Sequence, residues 1–297
     1  MIWRIMLTPF LLTAVSCDPQ TDPPVSGPLA SRFTQETPGT TPVQFAPDVF
    51  TRELHSSVVF SPDGRELYWS EMERDQIMTM RFENGRWSSS RPVTFSLPGG
   101  TGEPMVSPDG RSLFFTSAHR FKDSRGRYDE NIWRVTREDG DWSTPEPLPP
   151  EVNNRVLHWQ VSIAANGNLY FGCQEGSGDI FVSSYEEGKY QEAEILGNGV
   201  NTGDHEATPF VSPDESYLLF SRIAPGSDMA DLFVSFRSED GVWMEAISLG
   251  ETVNSPVHEL CPVVSHDGRY LFFLRNLQGD LRPHWVSTSV FLDLRQD

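Results

Sequence analysis

Five segments of this chain repeat one pattern, and a repeat of that length leaves few folds open. They read VVFSPDGRELYWS from Val58, PMVSPDGRSLFFTS from Pro104, VSIAANGNLYFGC from Val161, PFVSPDESYLLFSR from Pro209 and PVVSHDGRYLFFLR from Pro262. The turn acid or amide falls at Asp63, Asp109, Asn166, Asp214 and Asp267, at intervals of 46, 57, 48 and 53 residues. Each copy is an apolar strand, a tight turn and an aromatic strand. Proline pre-sets φ at the second turn position, and Asp and Gly tolerate the remaining angles. A second motif follows: QIMTMRFENGRW from Gln76, NIWRVTREDGDW from Asn131, DIFVSSYEEGKY from Asp179 and DLFVSFRSEDGVW from Asp231. It supplies a third strand, a glycine turn and an aromatic (Trp87, Trp142, Tyr190, Trp243), and the short segments RPVTF, PEPLP, AEILG and AISLG supply a fourth. Four antiparallel strands per period of this length mark a propeller blade.

The expected fold is therefore all-β: a single propeller of five four-stranded blades, six being the alternative if a divergent copy exists. The fifth copy ends in its third strand, HWVSTSVFLDLRQD, and lacks a fourth. Residues 41–49, TPVQFAPDV, resemble the other fourth strands, so an N-terminal strand is expected to complete the last blade and close the ring. Closure removes the exposed edges of an open array. The aromatics at equivalent places in each repeat are expected to pack between blades. Asp139-Gly140, Glu187-Gly188 and Asp240-Gly241 read as hairpin turns, because they lack the acid spacing of a calcium loop.

The Ser-Pro-Asp-Gly turn followed by a Tyr/Phe-rich strand resembles the WD40-like repeats of the TolB-like propeller family, over nearly all of residues 42–297. That family includes periplasmic scaffold proteins, propeller domains of peptidases and uncharacterised lipoproteins. The resemblance thus implies the fold and leaves the function open.

The first residues, MIWRIMLTPFLLTAVSC, place Arg4 before an apolar run from Ile5 to Val15. Such a run is too short to span a bilayer and reads as a signal peptide over residues 1–16. Its end, Ala14-Val15-Ser16-Cys17, resembles the lipobox of bacterial lipoproteins, which implies lipidation at Cys17. Residues 17–40 then form a lipidated, Pro/Ser/Thr-rich tether, and residues 41–297 the propeller. An extracytoplasmic, membrane-anchored location follows, in the periplasm or on the cell surface, with membrane contact only through the lipid. Cys173 and Cys261 sit in strand-like segments and read as buried free thiols. With 42 acidic and 23 basic residues the net charge is −19, which repels phosphate backbones and argues against a nucleic-acid partner. A monomer is expected.

Chemistry is confined to one constellation. The inner strand of each blade lines the channel, and eight residues before each turn acid or amide stand His55, Thr101, His158, Glu206 and Glu259. His205 and His258 precede the two glutamates, and Glu103 is close by. These positions are expected to circle one mouth of the channel as a ligand site. No catalytic residue is assigned. A divalent metal is the cofactor such a ring admits, with His55, His158, Glu206 and Glu259 as its ligands. Oligogalacturonate lyases resemble this plan in architecture alone. Such residues also serve simply to tie blades together. The longest connection, residues 119–128, is basic and joins the second and third strands of blade two on the same face; it is the expected contact for a partner or anion. The sequence favours a non-catalytic lipoprotein presenting a protein- or glycan-binding platform at the envelope. The alternative is a metal-dependent carbohydrate-active lyase or hydrolase.

Overall fold

The computed structural model describes residues 32–33, 35–73, 75–120, 130–155, 158–174 and 177–295. The expected leader, Cys17 and residues 121–128 of the basic connection lie outside the described residues. Within them, each repeat forms its own antiparallel sheet, and five sheets make a five-bladed propeller.

Blade 1 runs outward through Val59–Phe60, Glu66–Ser70 and Ile77–Glu83, with Arg86–Trp87 and Arg91–Pro92 both on the third strand. Blade 2 repeats this with Gly102–Val106, Ser112–Ser117, Asn131–Glu138 and the short strands Asp141–Trp142 and Glu146–Pro147. Blade 3 comprises His158–Ile163, Leu169–Cys173, Asp179–Ser183 and Glu194–Ile195. Blade 4 comprises His205–Val211, Tyr217–Ile223, Ala230–Phe236 and Ile247–Ser248. Blade 5 has Glu259–Val264, Tyr270–Leu277 and Asp280–Ser287, and its outer strand is Val43–Gln44 from the other end of the chain, with Val43 opposite Trp285. The expected closure is therefore present. Phe45, fully buried, locks it against Phe272 and Trp285 at ring distances of 5.0 and 5.2 Å. Contacts begin ahead of residue 41: Phe33 stacks on Trp87 at 4.9 Å, and the Gln35 amide donates to the Gln44 carbonyl.

The repeated turn has a chemical reason. In blade 1 the Ser61 hydroxyl donates to Asp63 Oδ1 at 2.6 Å, the same oxygen accepts from Arg65 N, and Ser61 Oγ accepts from Glu66 N. Ser107/Asp109 and Ser265/Asp267 repeat the set. The residue after the acid needs a left-handed backbone, so it is Gly64, Gly110 and Gly268 in these copies. Blade 4 places Glu215 there at φ 57°, and this departure has a use. The Glu215 carboxylate accepts from Tyr170, Asn166 and Asn168 of blade 3 and from Arg237 of its own blade. Glu66 does the same between blades 1 and 2, taking Arg81 and Arg137. Two of the four aromatics meet the neighbouring blade as expected: Trp142 donates to Tyr68 of blade 1 at 3.2 Å, and Trp243 meets Tyr170 of blade 3 edge-on; Trp87 meets Phe33, Phe60 and Phe82, and Tyr190 meets Tyr185 of its own blade. Cys173 and Cys261 are buried and in no disulfide among the described residues.

Candidate functional site: the channel mouth and the axial ring

The inner strands all start at one end of the channel and finish in the Ser-Pro-Asp-Gly turns at the other. At the starting end the five blades divide into two kinds. In blades 4 and 5 the expected glutamates, Glu206 and Glu259, are fully buried, and each is held by an arginine one strand outward. Arg222 Nε lies 2.8 Å from Glu206 and its Nη2 donates to the Val200 carbonyl. Arg275 does the same with Glu259 and the Val253 carbonyl. Thr202 and Ser255 hydroxyls also donate to the two carboxylates, at 2.7 and 2.6 Å, and Glu206 Oε2 is left buried without a hydrogen-bond partner. The neighbouring histidines belong to the same stitching: His205 Nδ1 is 2.7 Å from the Ser177 carbonyl, and His258 Nδ1 accepts from Ala230 N. These two glutamates circle the mouth but serve as internal ion pairs.

In blades 1, 2 and 3 the same two positions read His55 with Glu71, Thr101 with Ser117, and His158 with Gln174, so the Glu–Arg pair is absent from the sequence. Thr101 is buried and accepts from Ile77 N. His158 opens its strand opposite Cys173. His55 is exposed, and its ring lies over Gly102, where a side-chain carbon would come within 3.5 Å of Nδ1. The carboxyl of Glu130, at the start of the third strand of blade 2, belongs to this mouth. Burial, aided by the nearby Glu103 and Asp75 carboxylates and opposed by His55, raises it to about 7. Trp159, partly exposed, sets its ring edge-on to His205 at 5.3 Å. Among the described residues no three His, Cys, Asp or Glu side chains gather as a metal cluster.

Two residues deeper lies a feature that the sequence reading did not find. Six residues before each turn acid or amide stand Ser57, Glu103, Gln160, Thr208 and Cys261, and all five are buried. The last four are non-glycine residues at φ 51°, 23°, 51° and 54°, each at a break in the inner-strand register. These are β-bulges, which turn a side chain out of the pleat at the expense of backbone strain. Here they turn it toward the axis, where side chains of one blade accept the bulge N–H of the next. Gln160 N donates to Glu103 Oε2 at 2.7 Å, Cys261 N to Thr208 Oγ1 at 3.2 Å, and Ser57 N to the Cys261 sulfur. The two remaining junctions differ. Glu103 N turns to Ser70 instead of Ser57, and the Gln160 amide crosses the axis to the Pro209 and Pro262 carbonyls of blades 4 and 5. That leaves Ser57 Oγ and Gln160 Oε1 buried without a protein partner. Beyond the ring, toward the turns, the channel narrows to an apolar cavity of about 80 Å³ lined by Val59, Met105, Phe210 and Val263.

No family model and no curated protein matches the chain. Solved structures do. An endo-arabinase from Bacteroides thetaiotaomicron is 15% identical over 85% of this chain and 97% of its own, with a TM-score of 0.53. A gluconolactonase from Xanthomonas campestris is 11% identical, covering 84% and 95%, at a TM-score of 0.48. A calcium-binding protein, regucalcin, from Agrobacterium tumefaciens is 13% identical, covering 78% and 90%, also at 0.48. At these identities the likeness is one of fold: the chain is a β-propeller.

Proposed function

We propose that this propeller is a lipid-anchored protein of the cell envelope that binds a glycan at the channel mouth over blades 1 to 3, without chemistry of its own. The observation that carries the reading is the uneven mouth. Blades 4 and 5 close their carboxylates with arginines, while blades 1 to 3 carry no such pair in their sequence and leave His55 exposed and Trp159 partly exposed. An imidazole, neutral hydrogen-bonding groups and an indole face suit a hydroxyl-rich ligand, which is recognised by a few placed polar groups on an aromatic platform. The TolB-like repeats, the leader over residues 1–16 and the lipobox at Cys17 support the envelope location. The endo-arabinase lends the ligand class only.

The test is calorimetric titration of the protein with envelope polysaccharide fragments, together with the His55→Ala/Trp159→Ala double variant. Saturable binding lost in the variant, at an unchanged Tm, supports the reading. Capture of an envelope protein that glycan does not displace replaces it. Labelling with a palmitate analogue, lost in Cys17→Ala, tests the anchor.

A second reading, a carbohydrate-active hydrolase or lyase, is favoured by one observation. Glu130, raised to about 7, stands near the Glu103 carboxylate, which accepts two hydrogen bonds. A carboxyl that keeps its proton near neutrality is the usual form of a general acid, and a second carboxylate nearby is the group that could serve it as base. This reading places the acid at Glu130 rather than at Glu206 or Glu259, which Arg222 and Arg275 hold. Turnover of oligosaccharides, abolished in Glu130→Gln, would establish it.

A further inference from the structure

We propose that the axial ring holds one hard, oxygen-seeking cation, calcium, at the level of Glu103, Gln160 and Ser57.

The argument starts from charge. Three carboxylates of the inner strands are buried to 95% or more: Glu103, Glu206 and Glu259. The latter two are each matched by an arginine at 2.8 Å. Glu103 has only neutral donors, Thr116 Oγ1 at 3.1 Å and Gln160 N at 2.7 Å, and no basic partner among the described residues. An ionised carboxylate in a dry interior needs a compensating positive charge, or it takes up a proton. The same ring contains two further oxygens that find no protein donor, Gln160 Oε1 and Ser57 Oγ, on side chains 4% and 1% exposed. Gln160 spans the axis, since its backbone N–H reaches blade 2 while its amide nitrogen reaches blades 4 and 5. A carboxylate, an amide oxygen and a hydroxyl are the donor types calcium takes, with waters filling the remaining positions. The uncommitted donors of the ring are oxygens, which favours a hard cation over zinc.

The site lies deeper than the expected His/Glu circle and shares none of its four expected metal ligands. It also does not depend on the glycan reading, because the ion would sit beneath the mouth whether or not the mouth binds sugar.

The test uses the full chain stripped with chelator and the metal alone as probe. Terbium emission sensitised by tryptophan should saturate at one ion per chain and be displaced by calcium. Calcium should raise Tm in a concentration-dependent way, as a ligand of the native state does. Glu103→Gln should abolish both responses, Ser57→Ala should weaken binding several-fold, and Glu259→Gln should leave one bound ion. Should Glu103→Gln fold poorly, the Ser57→Ala titration decides alone. The proposal is overturned if calcium leaves the Tm of the stripped protein unchanged. It is equally overturned if Glu103→Gln binds terbium as the parent does, or if that variant is the more stable in chelator while the parent ignores metal. The last outcome would mean that Glu103 is kept neutral by a proton.

Discussion

The mouth over blades 4 and 5 and the mouth over blades 1 and 2 are built on one repeat and do opposite things with charge. In the first, a buried glutamate meets an arginine that also ties down the carbonyl of the preceding connector, so each carboxylate has its opposite charge within the fold. In the second, His55 is exposed, Glu130 is raised toward neutrality and Glu103 sits on the axis with only neutral donors among the described residues. The difference teaches that a polar ring read from a repeat mixes structural and unspent groups. What separates them here is the residue sixteen positions later in the repeat, arginine in one half and Glu71 or Ser117 in the other.

Four measurements would break or sharpen that comparison. The largest effect is expected where a charge is orphaned. Arg275→Ala or Arg222→Ala leaves a fully buried carboxylate unmatched and should cost ~3–5 kcal/mol in denaturant unfolding. Replacing Glu259 and Arg275 together by leucine should cost far less, and a cheap single variant would show that the pair is not structural.

Next comes Glu215, on the turn face. Burial alone would raise its carboxyl, but hydrogen bonds from Tyr170, Asn168 and Arg237, with the Arg237 charge, hold it below the usual carboxylate range. Its contribution is complete above the unfolded-state pKa and is lost as pH falls through the lower folded value. Glu215→Ala should lose about 2 kcal/mol at neutral pH, in line with charged hydrogen bonds. The gap to the parent should shrink in acid; a gap independent of pH would contradict the assignment.

Glu130 has the opposite sign. Its folded pKa is raised, so between about 4.5 and about 7 the unfolded state releases the proton first and stability falls with rising pH. Glu130→Gln should remove that decline, a smaller effect because the group is partly in water. Identical pH profiles for parent and variant would place Glu130 in an ordinary solvated setting. The smallest change in stability is expected for His55→Ala, within about 0.5 kcal/mol, as for an exposed side chain. Glycan affinity should drop all the same, and a large change in Tm would move His55 into the structural half.

The contrast also explains what could be read from the chain alone. The blades, their number and the closing strand were legible because a Ser and an Asp at fixed spacing make the turn themselves, in every copy that keeps them. The mouth was legible only as positions. Glu206 and Glu259 fall on the expected circle, but their arginines lie sixteen residues later, outside any local motif. The bulge ring left no trace in the pattern. Positive φ is usually announced by glycine, whereas these positions hold Glu103, Gln160, Thr208 and Cys261, which have no residue type in common. Glu130 was hidden differently, at the end of the longest connection, where nothing in its neighbours' sequence foretells burial. The N-terminal copy shows the limit of spacing arguments. Val49 keeps the backbone turn of Val152, Val200 and Val253 but is 38% exposed, and Phe50 is buried in its stead.

The outer strand of blade 5 also sets an order in time. Val43 and Gln44 are translated before any blade, yet the strand they pair with, Asp280–Ser287, follows every other blade strand in the chain. The early segment must therefore wait through the synthesis of four blades before its partner exists, and every intermediate carries an open edge at each end. Contacts of such long sequence separation are slow to form, and unfinished sheets are prone to pair wrongly while they wait. Completion of the ring, with Phe45 seated against Phe272 and Trp285, removes both open edges at once.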